Sequence, residues 1–384
     1  MKNHYLSKNL SQGFIYLYTG KMIANIAYSI SSLFLPIFLY KIFDFEIKYV
    51  LYYYLVSSLI YIFLVAFGAK FLNKVGFRNS LRASVFLGAL FYLSFYFINE
   101  NNAKYFILFP ILIITFYRLS YWLPYHIDFA KFTDKKNRGK EFSILQSTRL
   151  MVGIISPLLI GFIVGSVNFK TMFVFGAIVY LLSGIPYLKI TRTKEKFSWG
   201  YFQTWGNFFN KKYKKIVFAY MADGAEQVVG IIIWPIFIWK LLDGNLFKVG
   251  AISSLIVAFS IILQLMIGRY TDKMNKEKIL RFGSILYSLG WIIKIFVATA
   301  FQIFITSTYH NLTKIFMRTP FDVLTYEKAA DSGHYVDEFT VIHEMALNFG
   351  KVLMLILVLA VSSFFSIQWT FILAALSALF FNFL

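Results

Sequence analysis

The chain has 384 residues, of which 59% are hydrophobic and 15% are charged. Soluble domains are nearer half apolar and a quarter charged, so this composition excludes an ordinary soluble protein and predicts several membrane spans. The formal charge of +20 would suggest a nucleic-acid partner only in a soluble chain. With no cysteine in the sequence, disulfides, thiolate metal sites and cysteine nucleophiles are excluded.

Stretches of about 20 apolar residues, bounded by charges or turn signals, predict membrane-spanning helices. In the first half of the chain they cover residues 12–40, 47–68, 80–98, 104–127, 142–166 and 171–189. In the second half they cover residues 216–240, 247–268, 279–300, 302–326, 339–364 and 366–384. The sequence therefore predicts an all-α polytopic membrane protein with twelve transmembrane helices.

The positions of Lys and Arg predict the orientation of these spans. With the amino terminus inside, the inner segments contain twenty-five basic residues and the outer segments six, namely Lys41, Lys48, Lys104, Lys170, Lys240 and Lys248. Cytoplasmic connections carry such an excess, so we expect both termini in the cytoplasm and the protein in the cytoplasmic (inner) membrane. The net charge then reflects topology and attraction to membrane lipids, and we expect no nucleic-acid partner.

Three pairs of segments repeat at nearly the same spacing. Residues 141–153 (EFSILQSTRLMVG) match residues 338–350 (EFTVIHEMALNFG) at an offset of 197. Pro124-Tyr125 matches Pro320-Phe321 at an offset of 196, and the loop from Asn73 matches the loop from Asp272 at 199. These matching offsets predict a duplicated six-helix unit. We expect one bundle at residues 1–190, a cytoplasmic or interfacial linker at 191–214, and a second bundle at 215–384.

Two loops and one span carry recognisable motifs. The residues are Gly268, Asp272, Lys273 and Lys276 after the eighth span, Asn73, Lys74, Gly76 and Arg78 after the second, and Gly153, Ser156, Pro157 and Gly161 in the fifth. With these motifs, the chain resembles the major facilitator superfamily of secondary transporters over essentially its whole length. The resemblance implies two pseudo-symmetric six-helix bundles and alternating access. It also implies a gating or structural role at the inner face for Lys74, Gly76, Arg78, Gly268, Asp272 and Lys273, with Asn73 standing where an acid is expected.

Polar residues inside the spans are candidates for a transport pathway. An ionised side chain at mid-bilayer costs at least about 2.5 to 3.5 kcal/mol, so it usually faces a cavity or a partner. Stripes at helical spacing occur in the first, fourth, seventh and tenth spans, which line the central pathway in the resembled superfamily. The candidate pathway residues are Lys21, Asn25, Arg118, Tyr121, Asp223, Glu226, Gln227, Trp234, Asn311, Lys314 and Arg318. An interhelical contact that only holds the bundle together is the alternative for each stripe.

Further charged residues lie in the fifth, ninth and eleventh spans. Arg149 and Glu344 are about two turns from the cytoplasmic ends of the fifth and eleventh spans, so we expect a gating ion pair between the halves. Lys294 belongs to a ninth span that would be peripheral in the resembled fold. We expect it to snorkel to the membrane interface or to make a structural contact.

Together these features predict a secondary active transporter for a small solute, without a cofactor or a metal. Basic residues outnumber acids in the candidate pathway, which favours an anionic or polar metabolite or drug. Asp223, Glu226 or Glu344 could bind and release a coupling proton, which is a hypothesis based on acids inside spans.

Two other functions fit part of the sequence. A flippase for lipids or lipid-linked oligosaccharides is the nearer alternative, because twelve helices and a basic character suit it too. A membrane enzyme is disfavoured, since the pairs His126 with Asp128 and His343 with Glu344 lack a recognisable metal-ligand spacing.

Overall fold

A computed structural model describes the backbone of residues 12–132, 138–190, 197–271, 276–331 and 336–383, and their side chains except at 127–147, 149–150, 265–271, 326–331 and 336–337. Within these ranges the chain forms thirteen helical segments and no strand. The long segments are α1 (Gln12–Ile42), α2 (Ile47–Val75), α3 (Phe77–Tyr96), α4 (Leu108–Phe132), α5 (Arg138–Ser166), α6 (Phe169–Tyr187), α7 (Lys211–Leu241), α8 (Leu246–Thr271), α9 (Lys276–Lys294), α10 (Ala300–Asp331), α11 (Val336–Phe364) and α12 (Ile367–Phe383). A short linker helix (Tyr201–Phe208) lies between α6 and α7.

The apolar surface identifies the chain as an integral membrane protein. In the described part of the chain, seven segments are long and apolar enough to span a bilayer, namely α1, α2, α4, α6, α7, α8 and α11. Along α2, Phe63, Phe67 and Phe71 are 56%, 61% and 54% exposed, and their spacing of four places them on one face. Such a face is stable against lipid rather than water. Membrane crossing by the other long segments stays a prediction.

One helix boundary differs from its predicted position for a clear physical reason. The third span was expected from residue 80, whereas α3 begins at Phe77. Gly76 ends α2 with a φ of 81°, a conformation that a residue without a Cβ adopts at little cost. The chain therefore turns within one residue, and the basic segment after α2 is already helical.

The helices of the two halves pack in corresponding pairs. In the first half, α1 packs on α5 and α6, and α3 packs on α4 and α6. Six helices later, α7 packs on α11 and α12, and α9 packs on α10 and α12. The halves meet chiefly where α2 contacts α11 and where α5 contacts α8. This correspondence is what a duplicated six-helix unit would produce.

Helices α1 and α7 share a local feature that the sequence analysis missed. Each contains a π-helical turn, at Ile30–Phe34 in α1 and at Val229–Ile233 in α7. A proline follows each turn, Pro36 in α1 and Pro235 in α7. Proline has no N–H for the carbonyl four residues earlier, which permits wider spacing just before it. The identical Pro-Ile-Phe triplets, again about one repeat apart, were the signal in the sequence.

The ends of α1 and α7 that lie opposite the linker close against each other. The Phe45 and Trp239 rings are stacked with centroids 6.0 Å apart, and the Tyr40 ring meets Trp239 edge-on at 6.1 Å. The Lys240 ammonium lies 4.8 Å from the centre of the Tyr40 ring. We call Tyr40, Phe45 and Trp239 the aromatic closure. It joins the two halves at this end of the molecule.

Two glycines allow α7 and α11 to cross at backbone contact. A Cβ added at Gly224 would overlap the carbonyl of Leu347, and one added at Gly350 would overlap the carbonyl of Met221. Small residues of this kind let membrane helices approach closely enough for their backbones to touch. The crossing brings the polar residues of α7 and α11 into one region of the interior.

Candidate functional site

The polar stripes of α7 and α10 meet in the interior of the bundle. Arg318 Nη1 donates to Asp223 Oδ1 at 2.6 Å, and Arg318 Nε donates to Asp322 Oδ1 at 2.9 Å. Gln227 Nε2 also donates to Asp223 Oδ1, at 3.1 Å. The Asp223 side chain is only 1% exposed, whereas Arg318 is 35% exposed. Two carboxylates therefore balance the Arg318 charge, which reduces the cation excess expected from the sequence.

Glu226 bonds to a residue that the sequence analysis did not select. Tyr287, on α9, donates its hydroxyl to Glu226 Oε1 at 2.5 Å, and Glu226 is 3% exposed. The Tyr287 ring in turn contacts the His310 ring of α10, with centroids 4.2 Å apart and the ring planes tilted by 33°. The predicted pathway residue Lys314 lies 5.8 Å from the centre of the same ring. Glu226 thus belongs to a cluster contributed by α7, α9 and α10.

Lys294 corrects one expectation. It does not snorkel to the membrane interface, because the side chain is buried at 2% exposure. Its ammonium lies 4.2 Å from the centre of the Trp234 ring and 4.1 Å from that of Trp291. Aromatic faces attract a cation, and more strongly where water is excluded. The expected structural contact exists, and it lies in the interior next to the predicted pathway residue Trp234.

In the first half, Lys21 lies among aromatic rings of α4. Its ammonium is 4.2 Å from the ring centre of Trp122, 5.0 Å from that of Tyr121 and 4.9 Å from that of Tyr125. The predicted stripes of α1 and α4 are therefore in contact. Asn25, one turn from Lys21, is half-buried and approaches the sulfur of Met22 at 3.9 Å.

A second cluster joins the two halves of the chain. Tyr61 of α2 donates its hydroxyl to Glu344 Oε2 of α11 at 3.2 Å, and His343 Nδ1 lies 3.7 Å from Glu344 Oε1. The Arg118 guanidinium, from α4, lies 5.7 Å from the centre of the Tyr61 ring. Sequence reasoning singled out Arg118 and Glu344 separately and missed Tyr61, which connects them.

The residues expected to act as a gate are only partly described. Lys74 is exposed at the end of α2, Gly76 makes the turn into α3, and Arg78 is half-buried on α3. Gly268 lies in α8 and Arg149 in α5, but the Arg149 side chain falls outside the described part, and Asp272 and Lys273 do so altogether. The expected ion pair between Arg149 and Glu344 therefore stays a prediction. Asn311, half-buried on α10, completes the predicted set.

Ionisable side chains thus gather in the interior of this helical membrane bundle, where its two halves meet. The model of the Major Facilitator Superfamily matches residues 129–306, which supports a transporter of that superfamily rather than an enzyme.

Solved structures share the fold over nearly the whole chain. A POT family transporter in complex with 5-aminolevulinic acid superposes with a TM-score of 0.69 at 11% identity, covering 96% of this chain and 94% of that one. The peptide transporter POT in complex with sulfate gives 0.66 at 11% identity, covering 97% and 93%. A mutant of that transporter in complex with alafosfalin gives 0.66 at 11%, covering 96% and 93%. No curated protein matches the sequence.

Proposed function

We propose that the protein is a secondary active transporter that carries a small anionic or polar solute across the cytoplasmic membrane by alternating access. One observation carries this proposal. Charged side chains on otherwise apolar helices lie inside the bundle, where Arg118 of the first half approaches Glu344 of the second through Tyr61. Because burying charges in a membrane protein is costly, charged residues inside membrane spans commonly mark the path of a substrate or an ion. Structures of this fold that hold small molecules are consistent with a small solute.

The moving parts in this proposal are two six-helix bundles, residues 1–190 and 215–384, with the linker 191–214 and both termini in the cytoplasm. The corresponding packing of α1 to α6 and of α7 to α12 supports this division. The aromatic closure would block one side of the membrane in the conformation described here. Rocking of one bundle against the other would separate Phe45 from Trp239 and open that side.

Proton coupling is part of the proposal, and the three candidate acids differ in their hydrogen-bond partners. Asp223 has a guanidinium partner, Arg318. Glu226 and Glu344 instead have tyrosine hydroxyl partners, Tyr287 and Tyr61. A hydroxyl can donate to a carboxylate and accept from a carboxylic acid, so it serves both protonation states. We therefore propose Glu226 and Glu344, ahead of Asp223, as the proton-carrying groups.

The experiment is flux in proteoliposomes that hold the purified chain. A panel of metabolites is first screened for thermal stabilisation, because a ligand of the folded state raises its melting temperature by mass action. Uptake of the hits is then measured with and without an imposed pH gradient. We expect accumulation that the gradient drives, and loss of that dependence in E226Q or E344Q. Absence of uptake of every hit by folded protein, or movement of a fluorescent lipid instead, would overturn the assignment.

A further inference from the structure

Arg118 of α4 has no carboxylate at ion-pair distance among the side chains that the structure describes. Its Nη1 is buried and has no hydrogen-bond partner, and the residue faces the Tyr61 ring. Among the described side chains, no carboxylate comes within the 4.0 Å of an ion pair with Arg118 or with Lys351 of α11. Arg318, by contrast, has two such carboxylates. In the described part of the chain, two cations from different halves thus have no carboxylate at ion-pair distance.

The surrounding groups do not supply that negative charge. Glu344 and Asp223 attract the Lys351 ammonium, and Arg118 repels it. Asp223 is already paired with Arg318, and Glu344 Oε2 accepts from the Tyr61 hydroxyl, with His343 Nδ1 3.7 Å from its Oε1. Asn348 lies between Glu344 and Lys351 on α11 and is 2% exposed. Its Nδ2 donates to the Glu344 carbonyl at 2.8 Å, while its Oδ1 is buried without a partner.

These contacts define what would complete the cluster. Arg118 and Lys351 have Glu344 as the nearest carboxylate not already paired with Arg318, so one further negative charge beside them would offset the second cation. A guanidinium binds a planar carboxylate through two parallel N–H donors, and an ammonium adds a point charge. The free Asn348 Oδ1 requires a hydrogen-bond donor. The complementary ligand is therefore a small monoanion with one carboxylate and at least one donor.

We propose that Arg118 and Lys351 together bind the carboxylate of the transported solute, and that Asn348 Oδ1 accepts a hydrogen bond from the same molecule. This inference rests on the proposed transport function and adds the chemical class of the solute. It also assigns substrate contact to α11, where the sequence favoured a gate. Because Arg118 and Lys351 belong to different halves, a ligand that touches both favours arrangements that bring the halves together.

The test compares carboxylates with their amides, which have the same shape without the charge. The purified full chain is titrated with the pairs glycolate and glycolamide, lactate and lactamide, and 3-hydroxybutyrate and 3-hydroxybutyramide, each acid having one carboxylate and one hydroxyl donor, and its melting temperature is followed. We expect at least one acid to stabilise the protein and its amide to do so at least about tenfold more weakly. Equal stabilisation by acid and amide, or no stabilisation by any acid, would overturn the proposal.

Variants locate the site. R118Q and K351Q should each lower the affinity of the protein for the acid by about tenfold or more. R118K should recover part of this loss, since lysine retains the charge but not the paired donors. The matched control is R281Q, because Arg281 is exposed on α9. Unchanged affinity in folded R118Q and K351Q would also refute the site. If neutral solutes are transported while acids neither bind nor move, the transporter stands and only the carboxylate class fails.

Discussion

Asn73, at the end of α2, pairs with the backbone of Phe197 through both ends of its amide. Asn73 Nδ2 donates to the Phe197 carbonyl at 2.9 Å, and the Phe197 N–H donates to Asn73 Oδ1 at 2.9 Å. The next residue, Ser198, donates its N–H and hydroxyl to Glu338 Oε1 of α11, at 2.7 and 2.5 Å. The linker thus connects α2 of the first half to α11 of the second. An amide suits this position better than the acid of the superfamily motif, since only the amide both donates and accepts.

We predict that N73D lowers the stability of the protein by about 1 to 3 kcal/mol, because the carboxylate cannot donate to the Phe197 carbonyl and is left facing it. Thermal unfolding of the purified protein measures the effect. N79D is the matched control, since Asn79 is exposed and makes a single bond to the Val75 carbonyl at 3.2 Å. Equal losses of stability in N73D and N79D would show that the two hydrogen bonds between Asn73 and Phe197 do not stabilise the protein.

The sequence predicted which residues of α7 and α10 share a face, because residues three, four and seven apart lie on one side of a helix. Asp223 and Arg318 were therefore placed correctly on their own stripes. Their pairing could not be predicted, since it depends on which helices pack and at what angle. The π-helical turn of α7 has a similar effect. It adds a residue to one turn and rotates the following positions by about 100° relative to an uninterrupted helix. The number of residues between Asp223 and Trp234 therefore does not tell whether the two share a helix face.

Asp223 and Arg318 should be strongly coupled in stability. Removing one partner leaves a charge or a polar group unpaired in the interior, so D223N and R318Q should each cost about 1.5 to 3 kcal/mol. The double variant D223N/R318Q should cost clearly less than the sum of the two. A double-mutant cycle on thermal unfolding measures the coupling. The comparison pair is Glu46 and Lys48, which are 53% and 50% exposed and 3.3 Å apart, and whose cycle should give nearly zero. Additive losses for Asp223 and Arg318 would contradict the prediction.

The crossing of α7 and α11 should tolerate no side chain at Gly224. G224A places a methyl group against the Leu347 backbone, which cannot move aside as a flexible side chain would. We expect loss of folded protein or a cost of about 1 to 3 kcal/mol, read as yield in size-exclusion chromatography and as melting temperature. G206A is the control. Gly206 lies in the linker helix with nothing within 4 Å of an added Cβ, so this variant should stabilise the helix by up to about 1 kcal/mol. A folded, fully stable G224A would show that the helices separate easily.

The cluster on α9 shows where sequence reasoning failed. Tyr287 and Trp291 are apolar enough to count as ordinary core residues, and they were given no role. Lys294 was noticed, but the superfamily resemblance placed its span at the periphery. In the structure these side chains point inward because α9 packs on α10 and α12. The available signal was the spacing of three residues on α9. Lys294 follows Trp291 by three positions, and Tyr287 precedes Trp291 by four, so one helix face presents a cation between aromatic rings.

The aromatic closure gives a direct test of alternating access. Because the sequence has no cysteine, Tyr40 and Trp239 can be replaced by a single cysteine pair with no background reaction. Their rings lie 6.1 Å apart, so a short bifunctional thiol reagent should cross-link Y40C/W239C within one molecule. We expect the cross-link to stop net transport, since the halves can no longer separate at that end.

Ligand binding should survive the same cross-link, because Arg118 and Lys351 remain accessible from the opposite side in a protein that closes one end at a time. Binding is measured by thermal stabilisation and transport by flux, before and after the reagent is reversed. The single variants Y40C and W239C, treated identically, control for the loss of each ring. Unimpaired transport by fully cross-linked protein would mean that the solute passes without separation of α1 from α7, and a rocking mechanism would then be wrong.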